Sequence, residues 1–182
     1  MQRNIDIRET SERDLPGVIA VLRDAFGSDE EARLVTALLE DLTAQPCLSL
    51  AACSGDSPLA YILFTRASLS NARRAVSASI LAPLAVATRA QGQGIGGRLI
   101  AGGLNRLAEK GTELVFVLGY PDYYTRHGFR PAAPLGFVAP YPIPEKDADA
   151  WMVQALNTSV TGTLQGQVSC AASLDRPEYW QE

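Results

Sequence analysis

The chain has 182 residues, of which 47% are hydrophobic and 20% are charged, and its formal net charge is −4. This length and balance are typical of a single globular domain and argue against a disordered chain. The acidic balance disfavours a nucleic-acid-binding surface, which needs clustered Lys and Arg. The N-terminal segment is polar, and no run of ~18 apolar residues indicates a membrane span. We therefore expect a cytoplasmic protein that binds neither nucleic acid nor membrane.

The cysteines give no sign of a structural cross-link. Cys47, Cys53 and Cys170 are odd in number and lack CxxC spacing. Such a set fits neither a disulfide framework nor a zinc site. We therefore expect reduced thiols and no metal.

The first part of the chain predicts a strand, two helices and a hairpin. Residues 4–8 alternate polar and apolar side chains as a short strand does. Apolar residues recur at helical spacing from Leu15 to Phe26, which predicts a helix that ends at Gly27. A second helix is expected over residues 29–42. The turn sequence SGDS separates the apolar runs CLSLAAC and PLAYILFTRAS, which indicates a β-hairpin.

A strand–helix–strand unit is predicted next. The run from Ala75 to Val86 predicts a central strand, and the sequence QGQGIGG opens a helix that ends near Gly111. The apolar run LVFVL at 114–118 predicts a strand buried on both faces. PDYYTRHGF then predicts a short helix or turn, and AWMVQAL predicts a further strand.

The end of the chain has no clear periodicity. We predict one domain over residues 1–156 and a C-terminal extension over residues 157–182. The apolar Val168 and the aromatic pair Tyr179-Trp180 suggest that this extension packs on the domain rather than trailing free.

A glycine-rich turn joins the predicted central strand to the helix that follows it. Gly92, Gly94, Gly96 and Gly97 fall where backbone amides point outward and where the helix dipole favours an anion. Glycines also let a ligand approach the backbone closely. The pattern favours a phosphate group as the ligand. The alternative is a tight turn that binds nothing.

The same glycines raise a second possibility, because Gly92, Gly94 and Gly97 satisfy GxGxxG, the dinucleotide-binding fingerprint. In that fold an acidic residue at the carboxyl end of the next strand binds the ribose, whereas Glu113 precedes the strand at 114–118. The nucleotide-binding pattern GxxxxGK[ST] is absent as well. The context therefore disfavours both dinucleotides and nucleoside triphosphates.

Pro83 interrupts the predicted central strand. Proline cannot donate to a strand ladder, so it indicates either a β-bulge or an edge strand. A bulge would splay this strand from its neighbour and leave backbone groups near Leu84, Ala85 and Val86 free for an extended ligand. That arrangement would form a cleft ending at the glycine turn.

Two segments resemble one enzyme family. LAPLAVATRAQGQGIGGRLI resembles motif A of the GNAT (Gcn5-related) N-acetyltransferases, whose signature Arg/Gln-x-x-Gly-x-Gly/Ala corresponds here to residues 91–96. VLGYPDYYTRHGF resembles the family's second landmark, a tyrosine shortly before Gly-Phe. It is similar in particular to the YhbS-like subgroup, which often reads VLGDPxYYxRFGF. The resemblance covers most of the chain in order.

The resemblance implies the GNAT fold, a mixed α/β (α+β) architecture with a twisted, largely antiparallel sheet flanked by helices and splayed at the central strands. It implies that the pantetheine arm of acetyl-CoA lies along Leu84, Ala85 and Val86, and that its pyrophosphate binds the amides of Gln91, Gly92, Gln93, Gly94, Ile95 and Gly96. Tyr124 corresponds to the general acid that protonates the departing CoA thiolate. No metal is implied.

The chain departs from the subgroup at two positions. Tyr120 stands where relatives often have Asp, and His127 replaces a common aromatic residue, so any role in substrate recognition at these positions is left open. The general base that deprotonates the amine is also open, among Asp122, Glu30, Glu31 and an ordered water.

The predicted function is therefore direct acetyl transfer from acetyl-CoA to a primary amine of a small molecule or peptide. The alternative is a catalytically silent acyl-CoA-binding module that regulates a partner. Neither the acceptor nor the oligomeric state follows from the sequence.

Overall fold

The computed structural model describes residues 4–157 and 162–181. The strands in these ranges are β1 (Ile5–Glu9), β2 (Leu48–Ser54), β3 (Ser57–Leu69), β4 (Ala78–Val86), β5 (Leu114–Leu118), β6 (Arg130–Pro131), β7 (Phe137–Val138), β8 (Trp151–Ala155) and β9 (Gly166–Ser169). The α-helices in these ranges are α1 (Leu15–Phe26), α2 (Glu30–Glu40), α3 (Ile95–Glu109) and α4 (Pro121–Tyr124), and a six-residue 3₁₀ helix covers Glu145–Ala150.

The strands form a mixed sheet in the order β1-β2-β3-β4-β5-β8-β6. Neighbours along this path are antiparallel, except that β4 and β5 are parallel. Parallel neighbours need a crossover connection, and α3 supplies it. The predicted mixed α/β fold with a largely antiparallel sheet, and the predicted strand–helix–strand unit within it, are confirmed.

Helices cover both faces of the sheet. Tyr61 and Phe64 are three residues apart on β3 and therefore point to opposite faces. Phe64 packs against Gly103 of α3, where a larger residue would meet its ring. Tyr61 instead lines a cavity together with Leu15 and Val18 of α1. The helix α3, which begins at the glycine turn, thus lies on the face opposite α1.

The central strand β4 carries a β-bulge at Pro83. Two residues of β4, Ala82 and Pro83, face the single β3 residue that lies between Ile62 and Phe64. Because β4 lies between β3 and β5, it is not an edge strand. Of the two meanings considered for Pro83, the bulge is therefore correct and the edge strand is wrong.

The strands β4 and β5 separate beyond this bulge. Their paired residues run from Ala78 opposite Leu114 to Leu81 opposite Val117, and no pairing continues past that point. β4 nevertheless extends to Val86. The predicted splay of the central strands is confirmed, and it opens toward the carboxyl ends of both strands.

The segment after Asn157 adds a strand that periodicity did not predict. β9 pairs antiparallel with the end of β3, with Ser169 opposite Ser68, and parallel with β7. Trp180 is buried, and its indole ring meets Trp151 edge to face at 5.6 Å between centroids. Residues 158–161 and 182 of the predicted extension lie outside the described residues.

Candidate active site

The cleft between the splayed strands has a free backbone edge along the end of β4. Leu84, Ala85 and Val86 are opposite Ile62, Tyr61 and Ala60 of β3. A strand's amide and carbonyl groups alternate between its two sides, so half of them here point to β3 and the other half to the cleft. The groups on the cleft side have no β5 partner, because the β4–β5 ladder ends at Leu81. An extended ligand can pair with them as a strand would.

The glycine turn lies at the end of this cleft. Gly92 and Gly94 both have φ of 74°, in the left-handed region that glycine adopts without strain. α3 begins at Ile95, and the N–H of Arg98 donates to the carbonyl of Gly94 at 3.1 Å as the first bond of the helix. The amides that precede Arg98 in this turn have no intrahelical partner. Residues 92–94 are exposed, so their amides are available to an anion, whereas the N–H of Gln91 donates to the carbonyl of Thr88 at 3.4 Å.

The two glutamines of the turn bind its own backbone. The Gln91 side chain donates from Nε2 to the carbonyl of Val86 at 3.1 Å, and Gln93 donates from Nε2 to Arg89 at 3.4 Å. Both side chains hold the loop and leave the glycine amides to serve as donors. Gln91 thereby ties the glycine turn to the last residue of β4.

A carboxylate of α1 also anchors the loop before the turn. Asp24 accepts hydrogen bonds from the N–H of Thr88 at 2.7 Å and from its hydroxyl at 2.9 Å. These hydrogen bonds hold the pKa of Asp24 below its ordinary value. Sequence reasoning missed this contact, since nothing in the spacing of α1 and the turn marks it.

Tyr124 lies where β5 ends. α4 begins two residues after Gly119, and the Tyr124 ring packs directly on Gly119, where any Cβ would meet it. The ring meets Phe129 edge to face with 5.6 Å between centroids. Tyr124 is only 8% exposed. The structure thus brings the predicted general acid to the carboxyl end of β5, the edge at which β4 and β5 separate.

The neighbouring Tyr123 points to the glycine turn. A Cβ on Gly96 would lie 2.6 Å from the Tyr123 hydroxyl oxygen. Next to it, a Cβ on Gly97 would lie 2.8 Å from Cε1 of His127. The rings of Tyr123 and His127 meet at 61° with 4.9 Å between their centroids. The third and fourth glycines of the turn therefore make room for two side chains of the segment that follows β5.

Of the predicted candidates for the general base, Asp122, Glu30 and Glu31, Asp122 is closest to Tyr124 in the chain, and His127, which was not among them, lies three residues after Tyr124. Burial, assisted by the charge of Arg126, holds the pKa of His127 below its ordinary value. Asp122 is exposed in the first turn of α4, and Glu31 accepts a local hydrogen bond from Ser28 at 3.1 Å. The choice among these groups and water stays open.

Glu113, the residue considered for ribose binding, lies far along the sheet from the turn. It precedes β5, whereas the glycine turn follows β4, and the two strands are parallel. Arg74 donates to its two carboxylate oxygens at 2.7 and 3.1 Å and holds the pKa of Glu113 below its ordinary value. Glu113 is therefore at the opposite end of the β4–β5 pair from the glycine turn. This position agrees with the rejection of the dinucleotide fingerprint.

Within residues 4–157 and 162–181, no group of three or more His, Cys, Asp or Glu side chains is arranged to hold a metal ion. No helix in the same ranges has the length and apolar character needed to cross a membrane.

Comparison with known proteins agrees with this architecture. The acetyltransferase (GNAT) domain model matches residues 6–132. The chain belongs to the GNAT acetyltransferase family. Its relatives include the uncharacterized N-acetyltransferase YjhQ of Escherichia coli K12, which is 46% identical over 163 residues, 89% of this chain and 90% of YjhQ. The uncharacterized N-acetyltransferase YhbS of the same strain is 38% identical over 123 residues, 66% of this chain and 70% of YhbS.

Two solved structures of the family are similar to the whole fold. The structure of YhbS from Escherichia coli in complex with CoA has a TM-score of 0.87 and 30% identity, and the match covers 97% of this chain and 94% of that one. A GNAT acetyltransferase from Brucella melitensis in complex with acetyl-CoA has a TM-score of 0.74 and 26% identity, with 96% of this chain and 100% of that chain covered. The resemblance to the GNAT family and to its YhbS-like subgroup is confirmed.

Proposed function

We propose that this protein transfers the acetyl group of acetyl-CoA directly to a primary amine of a small molecule or peptide. The observation that carries the proposal is the cleft that opens where β4 and β5 separate. The glycine turn follows β4, and Tyr124 follows β5. The turn provides donors for an anion. No observation favours the silent regulatory module.

The residues present fit acetyl-CoA as the co-substrate. Backbone groups of Leu84, Ala85 and Val86 on the cleft side would pair with the amides of the pantetheine arm. The amides of residues 91–96 would bind the pyrophosphate, because the turn combines positive φ at two glycines with N–H groups at the start of α3 that have no intrahelical partner. The acetyl group that is transferred comes from the thioester end of this molecule.

Tyr124 would supply the proton for the leaving group. As the amine nitrogen bonds to the carbonyl carbon and the C–S bond breaks, the phenol donates its proton to sulfur. A phenol with a pKa of ~10 can protonate a thiolate whose acid has a pKa of ~8.5 when the two are in direct contact. The backbone N–H of Leu84, which faces the cleft, would donate to the carbonyl oxygen as negative charge develops on it, whereas the N–H of Ala85 faces Tyr61 of β3. The amine loses its proton to the open general base or to water.

An acceptor screen tests the proposal. Purified protein would be incubated with acetyl-CoA and a panel of amines, polyamines, amino acids and peptides, while free thiol and acetylated product are measured. We expect thiol release above the no-acceptor background for at least one amine, with matching acetylated product. Binding of acetyl-CoA without thiol release for every acceptor would contradict the enzyme and favour a binding module.

A further inference from the structure

The second tyrosine of the Tyr-Tyr pair has its hydroxyl at the point where the two predicted parts of the CoA site meet. The position of a Cβ on Gly96 lies 2.6 Å from the Tyr123 oxygen, 3.5 Å from Cγ2 of Val86 and 3.8 Å from Cδ2 of Leu84. Val86 and Leu84 belong to the segment assigned to the pantetheine arm, and Gly96 belongs to the pyrophosphate turn. The Tyr123 hydroxyl, Val86 and Leu84 therefore all lie around the same face of Gly96.

This hydroxyl is an unused donor. Among residues 4–157 and 162–181, no group forms a hydrogen bond with the Tyr123 oxygen. The side chain is half-buried, and burial raises its pKa, so the phenol keeps its proton at neutral pH. A half-buried donor beside free helix N-terminal amides adds to a site for an anion.

Two neighbouring rings hold Tyr123 in this position. The Tyr124 ring meets it at 88° with 5.1 Å between centroids, and His127 meets it from another side at 4.9 Å. His127 in turn rests on Gly97, the one glycine of the turn that lies outside the family signature. Gly97 thus has a structural role here, since a side chain at this position would displace His127.

We infer that Tyr123 is a CoA-binding residue whose hydroxyl donates to the phosphate nearest the pantetheine arm, and that His127 positions its ring. The inference rests on the proposed placement of CoA. It divides the work of the pair, with Tyr123 binding the cofactor and Tyr124 taking part in the chemistry. A hydrogen bond to a charged oxygen is stronger than one between neutral groups, so its loss is measurable as affinity.

The variant Tyr123→Phe tests the inference by direct calorimetry of CoA binding, with no acceptor and no turnover. Because the hydroxyl has no partner among the residues that the structure describes, we expect its removal to leave the thermal unfolding midpoint unchanged. We expect CoA to bind about tenfold more weakly, the loss of one hydrogen bond to a charged group. Unchanged CoA affinity would overturn the inference.

Shorter ligands identify the contacted group. 4′-Phosphopantetheine keeps the phosphate next to the arm, and pantetheine lacks it. By NMR titration at millimolar ligand, we expect Tyr123→Phe to weaken binding of 4′-phosphopantetheine but not of pantetheine. An equal loss for both ligands would show contact with the arm alone and would overturn the phosphate assignment.

Matched variants separate positioning from contact. Tyr179→Phe removes a half-buried hydroxyl of the C-terminal segment and should leave CoA affinity unchanged. His127→Ala should weaken CoA binding, and His127→Phe, which keeps an aromatic ring, should restore it. Failure of the phenylalanine to restore affinity would remove His127 from the inference. Since every readout is binding, absence of acetyl transfer would count against the proposed function alone.

Discussion

The carboxylate of Asp24 on α1 accepts hydrogen bonds from both the backbone N–H and the hydroxyl of Thr88, at 2.7 and 2.9 Å. Thr88 opens the single 3₁₀ turn that leads into the glycine loop. A residue of the first helix therefore fixes the entry to the proposed pyrophosphate site, more than sixty positions further along the chain.

Replacing this carboxylate should weaken CoA binding without unfolding the protein. Asp24→Ala removes both hydrogen bonds that hold the loop at Thr88. The loop must then become ordered when CoA binds, and the entropic cost of that ordering reduces the affinity. We expect a several-fold loss of CoA affinity by calorimetry. Asp29→Ala, which loses exposed ion pairs to Arg23 and Arg33 away from the turn, is the control and should bind CoA normally. Equal losses in the two variants would contradict a specific role for Asp24.

Tyr124→Phe should slow turnover and leave CoA affinity unchanged. Removal of a general acid costs about a hundredfold in rate, while the ring itself still packs on Gly119. Initial rates with the acceptor found by screening, together with calorimetry of CoA, check both parts. A large loss of affinity with turnover preserved would show that the roles of Tyr124 and Tyr123 are reversed.

Two glycines of α3 should respond differently to alanine. Gly103→Ala would force its methyl group into the buried ring of Phe64, so we expect a loss of about 1–3 kcal/mol in the free energy of unfolding from overpacking. Gly96→Ala would meet the end of the Tyr123 side chain, which can move aside. It should weaken CoA binding with little change in stability. Denaturant unfolding and calorimetry of both variants distinguish these outcomes, and a stable Gly103→Ala protein would contradict the packing argument.

The pair of Arg8 and Asp14 should make stability depend on pH on the acid side. Arg8 donates to both carboxylate oxygens at 2.7 and 2.8 Å, and the N–H of Ser11 donates at 2.8 Å. These bonds hold the pKa of the buried Asp14 well below its ordinary 3.8. Because the folded pKa is the lower one, the stabilisation is complete above the ordinary value and is lost as pH falls through the folded value.

Asp14→Asn should therefore lower the free energy of unfolding at pH 7 by about 2 kcal/mol, since it removes the charged acceptor of the hydrogen bonds from Arg8 and Ser11, while the partly exposed Arg8 is still solvated. The difference from the parent should shrink as the pH falls below 3.8, the ordinary pKa of the carboxyl. Urea unfolding at a series of pH values measures it. Asp6→Asn, an exposed change on the same strand as Arg8, should show neither effect. If the difference in the free energy of unfolding between the parent and Asp14→Asn stayed constant across the acid range, the charge of Asp14 would not be its cause.

Glu113→Gln should leave CoA binding unchanged. The carboxylate pairs with Arg74 at the end of the β4–β5 pair opposite the glycine turn, and because the Arg74 side chain is half exposed, solvent screens the pair and it adds little to stability. Neither the parent nor the variant should bind a nicotinamide dinucleotide in calorimetry. Dinucleotide binding that is lost in Glu113→Gln would revive the GxGxxG interpretation.

Much of the local structure could be predicted from the sequence. The helix from Leu15 does end at Gly27, which has φ of 68°, and the hairpin, the helix after the glycine turn and the strand at 114–118 are where their patterns indicate. These features depend on residues close in sequence, whose periodicity and backbone preferences act locally. The short strands β6, β7 and β9 were not predicted, because two to four residues carry too little pattern.

What the sequence by itself determined is the family, the order of the main elements and the glycine turn, through local patterns and a motif. The tertiary structure alone decided whether Pro83 marks a bulge or an edge, since that depends on strands lying on both sides of β4. It alone distinguished Tyr123 from Tyr124, because adjacent side chains on a short helix point in different directions and only packing shows what each one meets. One hydroxyl lies over Gly96 and the other ring over Gly119, a difference that no spacing rule contains.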